Sequence, residues 1–194
     1  MSKQKVVAVV GNLGSPSKTV ALVNRIVRSI ASHVEVDVHV VQVAQLARGL
    51  GPALSRKEAP PDVEAALRLV ENASVLVAAS PVYRATYTGL FKHLWDLVPQ
   101  DSLVDVPVVL AATGGSDRHA LVIEHSFRPL FAFFRASPIP TGVYASDRDF
   151  EDGDVASGDV LKRIELAGWQ AARALRARAQ TPIPVQIPAA VRAV

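Results

Sequence analysis

Three short stretches of the 194-residue sequence hold the residue types that chemistry needs. The first is GNLGSPSKT, Gly11 to Thr19. Its glycines allow close backbone approach. Asn12, Ser15, Ser17, Lys18 and Thr19 offer an amide, hydroxyls and an ammonium. A helix that follows such a loop aims its N-terminal N–H groups at the same point, which suits a phosphate. The second is PVYRATYTG, Pro81 to Gly89. Backbone from Val82 to Arg84 could meet the polar edge of a flat heterocycle. Tyr83 and Tyr87 could pack near that ring, and Arg84 could meet a negative charge. The third is TGGSD, Thr113 to Asp117, whose two glycines expose backbone N–H groups. Each stretch also has a plainer reading. These are a capped turn that binds nothing, tyrosines that only pack beside a solvated arginine, and a tight turn. Taken singly, none of the three decides between its readings.

The elements that would position these stretches form a regular series. KVVAVV (Lys5 to Val10) is a continuous apolar run, as in a strand buried on both faces of a parallel sheet. Val20, Val23, Val27 and Ile30 then recur at helical spacing, with Ser15 and Pro16 placed as N-cap and first helical residue. VEVDVHVVQV alternates like an edge strand with one wet face. ARGLGPALSRKEAPP reads as a loop, PDVEAALRLVENA as a helix, SVLVAAS as a third strand and TGLFKHLWDLV as a helix. DVPVVLAAT is a fourth strand, RHALVIEHSFRPLFAFFRA a long helix and IPTGVYAS a fifth strand. SDRDFEDGD reads as an acidic loop before a last helix, DVLKRIELAGWQAARALRARA. The order predicts an α/β fold, a doubly wound five-stranded parallel sheet with helices on both faces. It fills residues 1–180 and leaves 181–194 as a proline-rich tail. Ligands of such sheets bind beyond the carboxyl ends of the strands, where strand order reverses. All three stretches fall at predicted strand ends, and that coincidence favours the functional readings.

Composition narrows the classes. There is no cysteine, so disulfides and thiol catalysis are excluded. The formal charge of +3 is spread out, with no basic block interleaved with aromatics, so no nucleic-acid partner is expected. Apolar runs are too short to span a bilayer, and MSKQKVVAVVG lacks a leader's cleavage pattern, so no membrane partner and a cytoplasmic location are expected. No metal-ligand spacing and no G-x-S-x-G motif are present. His125 differs from the other histidines because Pro129 follows four residues later. The proline cannot bond the His125 carbonyl, so a kink or π-bulge is expected there. An ordinary proline kink beside a solvated histidine is the plainer reading.

With these loops in place the chain resembles the NAD(P)H-dependent FMN reductases of the flavodoxin-like superfamily. It is similar to those that supply reduced flavin to alkanesulfonate and methanesulfonate monooxygenases. ASPVYRATYTGLFKHLWDLVP and LAATGGSDRHALVIEHSFRPLFAFF carry the resemblance, which runs from about Lys5 to Ala179. The first loop departs from the family pattern. Asn12 stands where a serine is usual, and the loop's arginine is absent, leaving Lys18 as the nearby cation.

The resemblance implies FMN as cofactor and NADH or NADPH as reductant. It implies that Asn12, Ser17, Lys18 and Thr19 hold the FMN phosphate. Pro81, Val82, Tyr83 and Arg84 would line the isoalloxazine, with Tyr87 close by. Thr113, Gly114, Gly115 and Ser116 would meet its other polar edge. No side chain is implied as a catalytic acid or base. His125 matches the position where the alkanesulfonate type carries a tyrosine on a π-helical insertion at a subunit interface, and resembles the methanesulfonate branch instead. A homodimer or homotetramer, flavin exchange influenced by His125, and a partner monooxygenase follow as expectations. The apolar run Leu130, Phe131, Phe133 and Phe134 independently covers more than one helical stripe, as an interface helix would. A quinone or azo reductase that retains FMN is the alternative enzyme. A flavodoxin-like electron carrier is the alternative of another class, and the +3 charge disfavours it.

Overall fold

The computed structural model describes residues 3–180. The proline-rich tail expected over 181–194 lies outside the described residues. The main sheet contains β1 (Gln4–Val10), β2 (Val36–Gln42), β3 (Val75–Pro81), β4 (Pro107–Gly114), β5 (Ser137–Pro138) and β6 (Val143–Ser146). The order is β2-β1-β3-β4, with β5 and β6 both beside β4, and every pairing is parallel. Order therefore reverses between β1 and β3.

Strand alternation sends side chains into two cores. Val7, Val9, Leu76, Ala78, Val108 and Leu110 face one core. It is covered by α2 (Val43–Leu50), α3 (Pro61–Glu71), α4 (Gly89–Asp96) and α5 (Arg128–Phe133). Val6, Ala8, Val10, Val77 and Val109 face the other, under α1 (Lys18–His33) and α6 (Gly158–Gln180). The five-stranded doubly wound sheet is thus present, with helices on both faces.

Four local features differ from the sequence reading. Helix α1 starts at Lys18 with Ser17 as its N-cap, since the Ser17 hydroxyl accepts from the Val20 N–H. Pro16 precedes this cap and so lies in the turn outside the helix, and the Ser15–Pro16 bond is cis. Helix α2 runs straight out of β2, taking Val43 from the segment read as a strand and residues 47–50 from the segment read as a loop. Val43 and Leu50, two helical turns apart, are buried in the first core. The fifth strand is split, because Pro138 and Pro140 cannot donate to a ladder. Finally, the acidic loop folds into a hairpin, β7 (Phe150–Glu151) with β8 (Asp154–Val155), turned by Asp152 and Gly153 at φ 49° and 82°. An Asp-Gly pair is a strong signal for such a turn.

The segment expected as one long helix is also broken. A π-helical turn, Ile123–Phe127, precedes α5, and the Arg128 N–H donates to the Ile123 carbonyl five residues back. His125 lies inside this turn, and Pro129 opens α5. The kink or bulge expected at His125 is therefore a π turn.

The hairpin is clamped to α1 by a forked pair. Arg25 Nε donates to both Asp154 oxygens, at 3.0 and 3.1 Å. That hydrogen bond, with the Val155 N–H and the guanidinium charge, holds the Asp154 carboxyl below its ordinary 3.8. A depressed folded pKa contributes stability that is full above the unfolded value and is lost as pH falls through the folded one. Acidification below about pH 4 is therefore expected to loosen the hairpin. Amide exchange of residues 150–155 should rise on acidification more steeply, after correction for intrinsic rates, than in an Asp154→Asn variant, which is loose at every pH.

Candidate functional site

Two buried polar ties join the strand ends. At the reversal, the Thr88 hydroxyl donates to the Gly11 carbonyl at 2.8 Å. The Thr88 N–H donates to Ser80 Oγ at 3.1 Å, and the Gly11 N–H to the Ala79 carbonyl at 2.7 Å. Thr88 also caps α4 by accepting from the Phe91 N–H. A Cβ at position 11 would stand 2.8 Å from Phe91 and from Ser80 Oγ, so only glycine fits this crossing. Further along, the hydroxyls of Thr19 and Thr113 lie 2.7 Å apart, both buried, and fasten the start of α1 to the end of β4.

Above these ties opens a cleft of about 620 Å³. That lies within the ~300–1,000 Å³ typical of small-molecule sites. Asn12, Ser17, Lys18 and Thr19 line it from the first loop, Pro81, Val82 and Tyr83 from the second, and Thr113, Gly114 and Gly115 from the third. Ten of the residues singled out from sequence thus share one wall-to-wall space. The first-turn amides of Lys18 and Thr19 have no partner within the helix, which is the property an anion exploits. Asn12 is 3% exposed, and its amide donates to the Gly14 carbonyl and to Gln42 Oε1. Its Oδ1 is buried with no partner, so the cleft holds an acceptor waiting for a donor.

Three expected residues lie elsewhere. Tyr87 packs on Phe91 and Phe127, with ring centroids 5.7 and 5.4 Å away, and faces a second groove. Ser116 gives its carbonyl to the Tyr144 hydroxyl at 2.6 Å and does not line the cleft. Arg84 sits in the turn of a small hairpin, in a shallow hollow with His119 beside the cleft. Tyr83 and Thr86 exchange backbone bonds across that turn, at 2.8 and 3.4 Å, and Arg84 and Ala85 take φ 51° and 76°. The Val82 N–H donates to the Thr113 carbonyl at 2.7 Å, so this wall is tethered to β4. His125 lines the second groove with Tyr87, Trp95, Pro129, Leu130 and Phe133, away from the cleft.

The sequence reading missed a fourth wall. Asp147 and Gly153 line the cleft from the segment after β6. Asp147 accepts from Lys18 Nζ at 2.8 Å, and Lys18 also lies 5.6 Å from the Phe150 ring centre. The signal was available, since SDRDFEDGD follows a strand end just as the other three loops do. Behind this wall, burial first and then the charges of Asp117, Asp147 and Asp149 push the Tyr144 phenol above its ordinary value. It stays a protonated donor to Ser116.

Known proteins share this architecture. A family profile described as NADPH-dependent FMN reductase matches residues 4–151. The NADH-dependent FMN reductase SfnE of Pseudomonas putida is 50% identical over 166 residues, covering 86% of this chain and 89% of the relative. The NADH-dependent FMN reductase SfnF of Pseudomonas fluorescens is 47% identical over 168 residues, covering 87% and 90%. A solved oxidoreductase of Corynebacterium diphtheriae superposes with a TM-score of 0.82 at 30% identity, covering 91% of this chain and 99% of that one.

The third wall gives a sharp test. A Cβ at Gly114 would lie 2.3 Å from the Tyr144 hydroxyl oxygen and 3.3 Å from its Cζ. Gly114→Ala is expected to weaken FMN binding about tenfold or more, the scale of a misfit inside a packed wall. Adding Tyr144→Phe removes the clashing oxygen and should restore much of the affinity in a fluorescence titration. Full affinity in the single variant would take this wall out of the site. The profile spanning 4–151 and relatives near half identity over most of their length lead to one conclusion: the chain belongs to the NADPH-dependent FMN reductase family.

Proposed function

We propose that the four-walled cleft is where this NAD(P)H:FMN oxidoreductase holds FMN. The observation that carries the placement is the buried, unpartnered Asn12 Oδ1 among loops rich in glycine and hydroxyls at the strand-order reversal. A flavin nucleotide brings both a phosphate for the α1 N-terminus and hydroxyl and ring N–H donors for such an acceptor. Ser17, Lys18 and the first-turn amides of α1 would hold the phosphate. Backbone at Pro81 to Tyr83 and at Gly114 and Gly115 would hold the ring edges, with Arg84 at the rim.

FMN, when bound, supplies the hydride acceptor for the reduced nicotinamide. The chain's own part is placement. The buried ties Thr88–Gly11 and Thr19–Thr113 fix the floor, so the walls meet a ligand without reorganising. Tyr83 is 52% exposed at the rim and is free to cover a stacked pair of rings from water.

Two further readings belong to this proposal. The reductant is NADH or NADPH, since the similar proteins are named for either, and the motif resemblance supports a sulfonate-type monooxygenase as consumer of the reduced flavin. Both would operate in the cytoplasm. A dimer or tetramer is the second. Leu121 and Phe133 stand 63% and 60% exposed beside the groove that holds His125, and the buried Trp95 Nε1 there has no partner. Copies meeting at the π turn would cover this apolar surface, and His125 would then act on flavin exchange through the contact.

The phosphate placement is tested by Ser17→Ala with Lys18→Ala. Charge-assisted hydrogen bonds are worth about 1.5–3 kcal/mol each, so FMN should bind on the order of tenfold or more weaker while riboflavin changes much less. Equal losses for the two flavins would move the phosphate elsewhere. Oxidation of NADH or NADPH by the purified protein should depend on added FMN. For assembly, light scattering at micromolar concentration should give a dimer or tetramer, and Phe133→Lys should shift it toward monomer. A wild-type monomer with and without FMN would overturn the interface.

A further inference from the structure

The charges of the cleft do not fit simple phosphate capture. Among the described residues that line it, Lys18 is the one Lys or Arg and Asp147 the one carboxylate. They come from different walls, 129 positions apart in sequence, and already pair at 2.8 Å. An arriving phosphate meets a cation that has a partner.

The two partners are held differently. Lys18 is the first residue of α1, on a flexible stem. Asp147 is fixed by its backbone, because the segment that carries it is stapled on both sides. Ser146 and Asp149 form a reciprocal cap, with the Ser146 N–H and hydroxyl donating to Asp149 Oδ2 at 2.7 and 2.8 Å. Arg148 pairs with Asp117 of the third loop, and Arg25 clamps Asp154. The other oxygen of Asp147 lies 3.9 Å from where a Cβ would stand at Gly115. When Lys18 turns toward a ligand, the carboxylate stays between the first and third walls.

We propose that Asp147 competes with the flavin phosphate for Lys18, and so sets how weakly the cleft holds FMN and how fast it lets FMN go. The proposal rests on the phosphate placement above. Its chemistry is general: an anion must share the lysine and sit near a fixed negative charge, whereas a flavin without phosphate does neither. The carboxylate therefore acts on FMN and spares riboflavin.

The test titrates FMN and riboflavin into wild type, Asp147→Asn, Lys18→Ala and the double variant, at low and high salt, with FMN release followed by stopped flow. Asp147→Ser serves as a second substitution, and thermal melts confirm folding. Asp147→Asn should tighten FMN by about threefold to tenfold, on the scale of exposed ion pairs with an added repulsion. Riboflavin should stay within about twofold, and FMN release should slow. The gain should shrink at high salt, because exposed charges are screened beyond about a Debye length. It should also shrink in the Lys18→Ala background. Unchanged or weaker FMN binding in both Asp147 variants would overturn the proposal. Equal weakening of both flavins would show Asp147 as a direct acceptor for the ligand, which also overturns it. If Lys18→Ala leaves FMN affinity untouched, the phosphate placement itself fails. If Lys18→Ala weakens FMN but Asp147→Asn is neutral, the competition alone fails.

Discussion

Everything in the site hangs on one buried crossing, where Thr88 bonds Gly11 and Ser80 at the reversal of strand order. A doubly wound sheet opens a crevice there because successive connections leave in opposite directions. Without a tie the two departing loops would part, and each would need water for its freed backbone groups. Thr88 closes that gap with one hydroxyl and one N–H, while also capping the helix that follows. The absence of a side chain at Gly11 makes the crossing close enough for those bonds. A buried pair of this kind costs little when complete and a good deal when half made, so it specifies one arrangement of the walls.

The walls divide into two kinds. Three are fastened by buried hydrogen bonds between strand ends, which salt hardly affects. The fourth, after β6, is anchored at its root by the Ser146–Asp149 cap and fastened to the other walls by exposed charge pairs, Arg148 with Asp117, Lys18 with Asp147 and Arg25 with Asp154. Exposed pairs are individually weak and are screened by salt. The cleft thus combines a rigid floor with a rim whose hold depends on ionic conditions. That division suits an enzyme of this family, in which the nicotinamide must reach the flavin ring.

Much of the architecture was legible because apolar runs and glycine breaks are local signals. SVLVAAS and DVPVVLAAT could hardly be anything but inner strands, and their order in sequence dictated where ligands gather. Ten cleft residues followed from that geometry plus the family motifs. What was lost depended on partners far along the chain. Tyr87 reads as a ring-contacting phenol until Phe127, forty positions later, packs on it. Ser116 stands outside the cleft lining, with its carbonyl bonded to Tyr144, twenty-eight positions later. Asp147 was passed over because an acidic segment looks solvated until Lys18, 129 positions away in sequence, reaches it. Val43–Leu50 was hidden by its position, since a helix that begins in the last residue of a strand leaves no punctuation. The π turn was the opposite case, because Pro129 announces locally what the backbone must do.

The turn between Tyr83 and Thr86 has a mechanical consequence. Its two central positions demand left-handed backbone, the conformation that glycine and asparagine accept, yet they hold arginine and alanine. Each such residue costs on the order of 1–3 kcal/mol, and only the cross-turn bonds and the tether to Thr113 keep it in place. The second wall is in effect a cocked spring set at the solvent edge. Of the three walls with hydrogen-bonded anchors, it is the one that stores backbone strain, and it carries the exposed tyrosine.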